Sequence, residues 1–139
     1  MKYILLILFF IVTSVQAQSA FDKAEAARMK DNWMEALNYY EKAAENGSAK
    51  AAHWVGTIYL EGFGVEKNSV YAAAFFSLAA NGGVLGSMVN LANMHLSGNG
   101  VAKDCEKAQK WIVRFSKGPI PPAWRKEIEH CKSTFNKQI

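Results

Sequence analysis

Proline, cysteine and histidine are all scarce. The 139 residues hold three prolines, two cysteines and three histidines. So little proline, with half the residues hydrophobic and 20% charged, excludes a collagen-like or disordered chain. Two cysteines cannot build a disulfide-dense mini-scaffold or a four-cysteine zinc site. Charge of one sign is also in short supply. A net of +4 is modest and does not suggest a nucleic-acid binder, whose basic residues would gather on one face. The length suits one domain and leaves little room for two.

One long apolar run is present, at the start. Lys2 gives a positive first region, Tyr3 to Val12 is almost unbroken apolar sequence, and Val15-Gln16-Ala17 ends it with small side chains. That order is the signal-peptide pattern, with cleavage expected between Ala17 and Gln18. The rival is an uncleaved anchor, for which the apolar run is short. No cysteine follows the cut, which disfavours a lipoprotein. Residues 1–17 are therefore expected to be a leader, with no stable membrane insertion once it is removed. In an oxidising compartment two cysteines usually form one disulfide. Pairing Cys105 with Cys131 would contribute about 3–4 kcal/mol in the chain-entropy model. The competing use of these thiols, with His95 or His130 on a metal, lacks ligand spacing such as C-x-x-C, and no metal or other cofactor is expected.

The rest of the chain repeats. Sliding the segment at Gly47 by 36 positions superposes Gly47 on Gly83, Leu60 on Leu96 and Gly62 on Gly98. Gly64 then meets Gly100, Val65 meets Val101, Lys67 meets Lys103, Ala72 meets Ala108 and Gly82 meets Gly118. Tyr39, Phe75 and Trp111 share one phase. Each unit reads as a helix hairpin. One helix is expected over 49–60, followed by a turn in which Gly62 and Gly64 take positive φ. Asn68 then caps a second helix to about Ala80. The next copy predicts helices over 85–96 and from the cap Asp104 to about Ser116. Ahead of Gly47, Ala24, Ala27, Trp33, Ala36, Tyr40 and Ala43 have the spacing of a shorter hairpin unit around the turn Lys30-Asp31-Asn32.

The string Tyr59-Leu60-x-Gly62-x-Gly64-Val65-x-Lys67-Asn68, with Ala72, Ala79-Ala80 and Gly83, resembles the Sel-one-like repeat, a relative of the tetratricopeptide repeat. The second copy matches through Leu91, Leu96, Gly98, Gly100-Val101, Lys103-Asp104, Ala108 and Trp111. It departs at Ala92, where the family favours glycine (Gly56 in the first copy), and at Phe115-Ser116, where an alanine pair is usual. The resemblance implies an all-α, right-handed solenoid of about three hairpins over 18–118. Residues 119–139 follow a proline-rich break, and Trp124, Ile128, Cys131 and Phe135 recur at helical spacing. They are expected to form a capping helix that covers the last stacking face, clamped by the disulfide.

No catalytic constellation stands out. His53 and His95 occupy different repeat phases, and neither has Ser or Asp at triad-like spacing. Glu127-x-x-His130 is a lone carboxylate–histidine pair that a solvated helix face explains. Gly62-x-Gly64 and Gly98-x-Gly100 follow helices, unlike phosphate loops. Residues 18–102 carry 6 basic and 8 acidic side chains, whereas 103–139 carry 9 and 4. A basic end of this kind suits a solubilising surface, or steering of an acidic partner or lipid headgroups; nucleic acid is not expected.

The resemblance places the first helices of the hairpins on a concave, partner-binding surface. In that phase Phe21, Glu25 and Arg28 face inward from the first hairpin, His53, Trp54 and Thr57 from the second, and Val89, Asn90 and Asn93 from the third. Trp54 and Arg28 are of the types enriched at interface hot spots, although Trp54 also suits a core position. Trp33 and Trp111 fall at packing positions. The resulting expectation is a non-enzymatic protein- or peptide-binding adaptor, exported to the periplasm as family and leader together imply, with secretion as the alternative destination. Similarity to small exported relatives leaves two alternatives: an immunity protein that neutralises a delivered effector, and a hydrolase like the cysteine-rich members, from which this chain departs by its single possible bridge.

Overall fold

The computed structural model describes residues 2–135. Among them are seven helices: α1 (Lys2–Arg28), α2 (Trp33–Glu45), α3 (Ala49–Glu61), α4 (Ser69–Asn81), α5 (Leu85–Ser97), α6 (Cys105–Ser116) and α7 (Pro122–Phe135). Each packs against the next in the chain, and α7 also reaches α5. This is an all-α repeat solenoid of three hairpins closed by α7.

The hairpins follow from local chemistry. Asn32, Ser48, Asn68 and Asp104 stand at helix N-termini, and their side-chain oxygens accept from the N–H groups of Glu35, Ala51, Tyr71 and Lys107. Each such cap contributes about 1 kcal/mol. Gly62 and Gly98 end α3 and α5 in the left-handed region at φ 76°, where a Cβ would be strained. The turns then close identically: the Asn68 N–H donates to the Tyr59 carbonyl at 2.8 Å, and one repeat later Asp104 donates to His95 at 2.9 Å. Asp31 turns the first hairpin with φ 55°, a conformation Asp tolerates better than most residues.

Repeat-to-repeat contact is carried by the second glycine of each turn. A Cβ on Gly64 would lie 3.0 Å from Trp33 Cβ, and one on Gly100 would overlap the Ser69 carbonyl. Trp33 and Ser69 are themselves 36 positions apart, so each turn seats on the start of the preceding hairpin's second helix.

The core runs the length of the stack. Ala24, Ala27, Ala36, Ala43, Ala51, Ala52 and Ala79 are buried around Tyr40, Val55 and Ile58. Phe76, Met88, Leu91 and Met94 fill the next layer, with Trp111 and Phe115 against them. Small alanines let the helices approach, and each large apolar side chain buried between them contributes about 1.5–3 kcal/mol. The last layer, Ala92, Ile112 and Ile128, is covered by Trp124 from α7. Cys105 and Cys131, both buried, are joined by a disulfide with Cα atoms 5.8 Å apart. It ties the first turn of α6 to the cap.

α1 runs unbroken through the expected cleavage point, and its apolar start, including Leu6, Phe9, Phe10 and Val12, is exposed. Among the described residues no helix is long and apolar enough to cross a membrane.

Candidate functional site

The first helices α1, α3 and α5 bring most of the expected face together. On α1, Arg28 Nη2 lies 2.6 Å from Glu25 Oε2. Glu25 also accepts a hydrogen bond from the Tyr40 hydroxyl of α2. The Arg28 guanidinium sits 4.7 Å from the centre of the Trp54 ring on α3. Trp54 in turn stacks on Tyr40 at 5.8 Å and 14°, and Phe21 meets Tyr40 edge-on at 5.6 Å. A cation over an indole face is attracted by its quadrupole, and the same guanidinium is pinned by a carboxylate. The cluster is thereby cross-braced between three helices.

Tyr40 is the hub, and sequence reasoning missed it as a site residue. Its repeat phase marks it as packing, and it is indeed fully buried. The signal available was Glu25, a carboxylate on a helix face that needed a donor. Burial, then the hydrogen bond to Glu25, pushes the Tyr40 phenol up, so it stays a neutral donor. The hydrogen bond from Arg28 holds the Glu25 carboxyl below its ordinary value.

His53 joins α3 to α5. Its Nδ1 lies 2.8 Å from the hydroxyl of Ser87, which is buried, and its ring tilts against Phe76 at 5.7 Å. Burial lowers the pKa of His53, favouring the neutral ring. A His–Ser pair suggests a nucleophile and its base. Here Ser87 is sealed from solvent, and among the described residues no carboxylate hydrogen-bonds the ring, so the pair is a strut between hairpins. Thr57 turns its hydroxyl to the His53 carbonyl at 3.0 Å. Val89 and Asn90 are half-buried on α5, while Asn93 is exposed and lines a groove against α7. The face thus has a built centre on α1 and α3 and a sparser continuation on α5.

The remaining candidates are structural. Trp33 stacks on Phe63 at 4.5 Å, and Trp111 is packed between the last two core layers. His95 Nδ1 lies 3.2 Å from the Ala102 carbonyl across the turn. Both cysteines are consumed by the disulfide. Among the described residues no three His, Cys, Asp or Glu side chains gather at metal-binding distance.

Comparison with known proteins decides the family. The model of the Sel1 repeat matches residues 34–48, 49–84 and 86–114, more than half of the chain. The chain belongs to the Sel1 repeat family. Sel1 repeats generally mediate protein–protein interaction, and their fold is typically a non-catalytic scaffold. The middle match has the same 36-residue period as the internal repeat, and α1 lies outside all three.

Among relatives, Protein sel-1 homolog 2 of Homo sapiens is 38% identical over 81 residues, 58% of this chain and 12% of that protein. Cytochrome c oxidase assembly factor 7 of Xenopus tropicalis is 33% identical over 81 residues, 58% of this chain and 35% of that protein. A crystal structure of a Sel1 repeat protein from Oxalobacter formigenes superposes with TM-score 0.66 at 26% identity, over 73% of this chain and 42% of the other. A protective antigen of uropathogenic Escherichia coli with this fold gives 0.70 at 20% identity, over 88% and 30%. The chain thus spans between 12% and 42% of the length of these longer proteins.

Proposed function

We propose that this Sel1 repeat chain binds a partner protein through the face of α1, α3 and α5, with Trp54 and Arg28 as its anchor. The observation that carries this is the Phe21–Tyr40–Trp54–Arg28–Glu25 cluster, which joins three helices and leaves Trp54 and Arg28 only half-buried. A rigid aromatic beside a pinned guanidinium loses little entropy on binding. Interface hot spots are enriched in these two residue types. The binding is non-catalytic.

The protein works in an oxidising, periplasm-like compartment after loss of residues 1–17. The leader pattern and the Cys105–Cys131 disulfide support this reading. Intact mass of the exported protein is expected to lack Met1 to Ala17, and its retention would overturn the leader assignment.

Crosslinking capture from envelope extracts, using the protein, Trp54→Ala and the second-helix control Val70→Asp, tests the binding face. One dominant partner lost with Trp54→Ala and kept with Val70→Asp is expected. The reverse pattern would defeat the proposal. The identity of that partner separates an envelope adaptor from an inhibitor of a delivered effector.

A further inference from the structure

Between α5 and α7 lies an open groove of about 610 Å³ lined by Asn93, Leu96, Lys103, Lys126, His130 and Cys131, among others. Its floor is apolar, with Leu96 half-buried and Cys131 buried. Lys103 and Lys126 rise exposed on its rim. Two ion pairs occur among the described residues, Arg28–Glu25 and Lys107–Asp104, and neither involves a rim lysine. Glu127 is the one carboxylate in the lining. The imbalance extends beyond the groove, because residues 103–139 carry 9 basic and 4 acidic side chains. The wall is preformed: α7 is fixed by the disulfide, by Ile128 in the core and by the Lys132 ammonium donating to Gln109 at 2.8 Å.

We infer that this groove takes an acidic peptide segment of the partner, with carboxylates at Lys103 and Lys126 and an apolar side chain on Leu96. The inference rests on the proposed binding face, which reaches the groove at Asn93. Two lysines against one carboxylate in the lining favour an anionic ligand. The lining offers a single ring, that of His130, and no Phe, Tyr or Trp platform on which successive bases of a single-stranded nucleic acid would stack. The apolar floor suits a peptide side chain.

Fluorescence anisotropy with the purified protein tests it. The probe is a labelled eight-residue peptide alternating aspartate and leucine, compared with versions carrying asparagine or lysine in place of aspartate. The acidic peptide is expected to bind, more weakly at high salt. Replacing both lysines (Lys103→Gln with Lys126→Gln) should weaken it about fivefold, within the range of two exposed ion pairs. Glu127→Gln should tighten it. These exposed positions leave the melting temperature unchanged, which a thermal scan checks. Absence of acidic-peptide binding up to millimolar concentration, equal binding of the lysine peptide, or indifference to the double substitution would overturn the inference. Trp54→Ala should leave peptide affinity intact. Capture that depends on Trp54 but not on the two lysines would therefore retain the binding face and discard the groove.

Discussion

The hairpins α3–α4 and α5–α6 are two copies of one unit placed differently in the stack. In the first, Gly56 leaves room for Phe76, whose ring atoms would lie 2.8 Å from a Cβ on that glycine. In the second, the equivalent positions are Ala92 and Ile112, which pack together in the last core layer. A smaller branched side chain thus stands where the ring stood, and a methyl group fills the space given up. The departure from the family's glycine at position 92 is one half of a volume-conserving exchange. The middle hairpin is held by hairpins on both sides. The last has a neighbour on one side only, and a covalent bond to α7 stands in for the missing one. Equivalent repeats can therefore carry the same turns and caps while their interiors and outer supports differ.

Removing the bond should break the comparison most. Cys105→Ser with Cys131→Ser is expected to cost about 3–4 kcal/mol by denaturant unfolding. Hydrogen exchange should rise first in α6 and α7, because solenoid units stabilise chiefly their neighbours. Uniform loosening of α3 and α4 instead would show that the stack behaves as one unit.

The exchange of volumes can be sharpened by transplanting it. Gly56→Ala is expected to destabilise by about 1–3 kcal/mol through overpacking against Phe76. Adding Phe76→Ile should recover part of the loss, in a double-mutant cycle with coupling of about 1 kcal/mol or more. Strict additivity would mean that the pair is not matched.

The smallest expected effect lies at the junction of these hairpins. Burial of His53 lowers its folded pKa, so its neutral ring contributes stability that is fully present above the unfolded value of about 6.5. That contribution is lost as pH falls through the lowered folded value. The denaturation midpoint should therefore fall between pH 7.5 and 5, and the fall should shrink in His53→Gln. An unchanged slope would exclude His53 as its source.

Much of this architecture is legible in the chain because punctuation is local chemistry. Asn68 and Asp104 cap, Gly62 and Gly98 stop helices, and the starts of α4, α6 and α7 and the ends of α3 and α5 follow from those residues and from Pro122 within a position or two. The cysteine pair is legible once export is assumed, since no other thiol competes. What escapes is what depends on contacts between units. Tyr40 reads as packing, and only the approach of Glu25 and Trp54 from two other helices makes it the centre of the candidate cluster. Ser87 gives no sign that it will meet His53 across two hairpins. The continuity of α1 through Ala17 is equally silent in the pattern, because a helix propagates through small residues whether or not a peptidase reads them.

The binding face itself is tested most directly by hydroxyl-radical footprinting of the complex with its captured partner. The account predicts that Trp54 and Phe21 lose reactivity on binding, while Val70, Tyr71 and Leu78 on α4 keep theirs. Protection of the α4 side chains with Trp54 left reactive would contradict it.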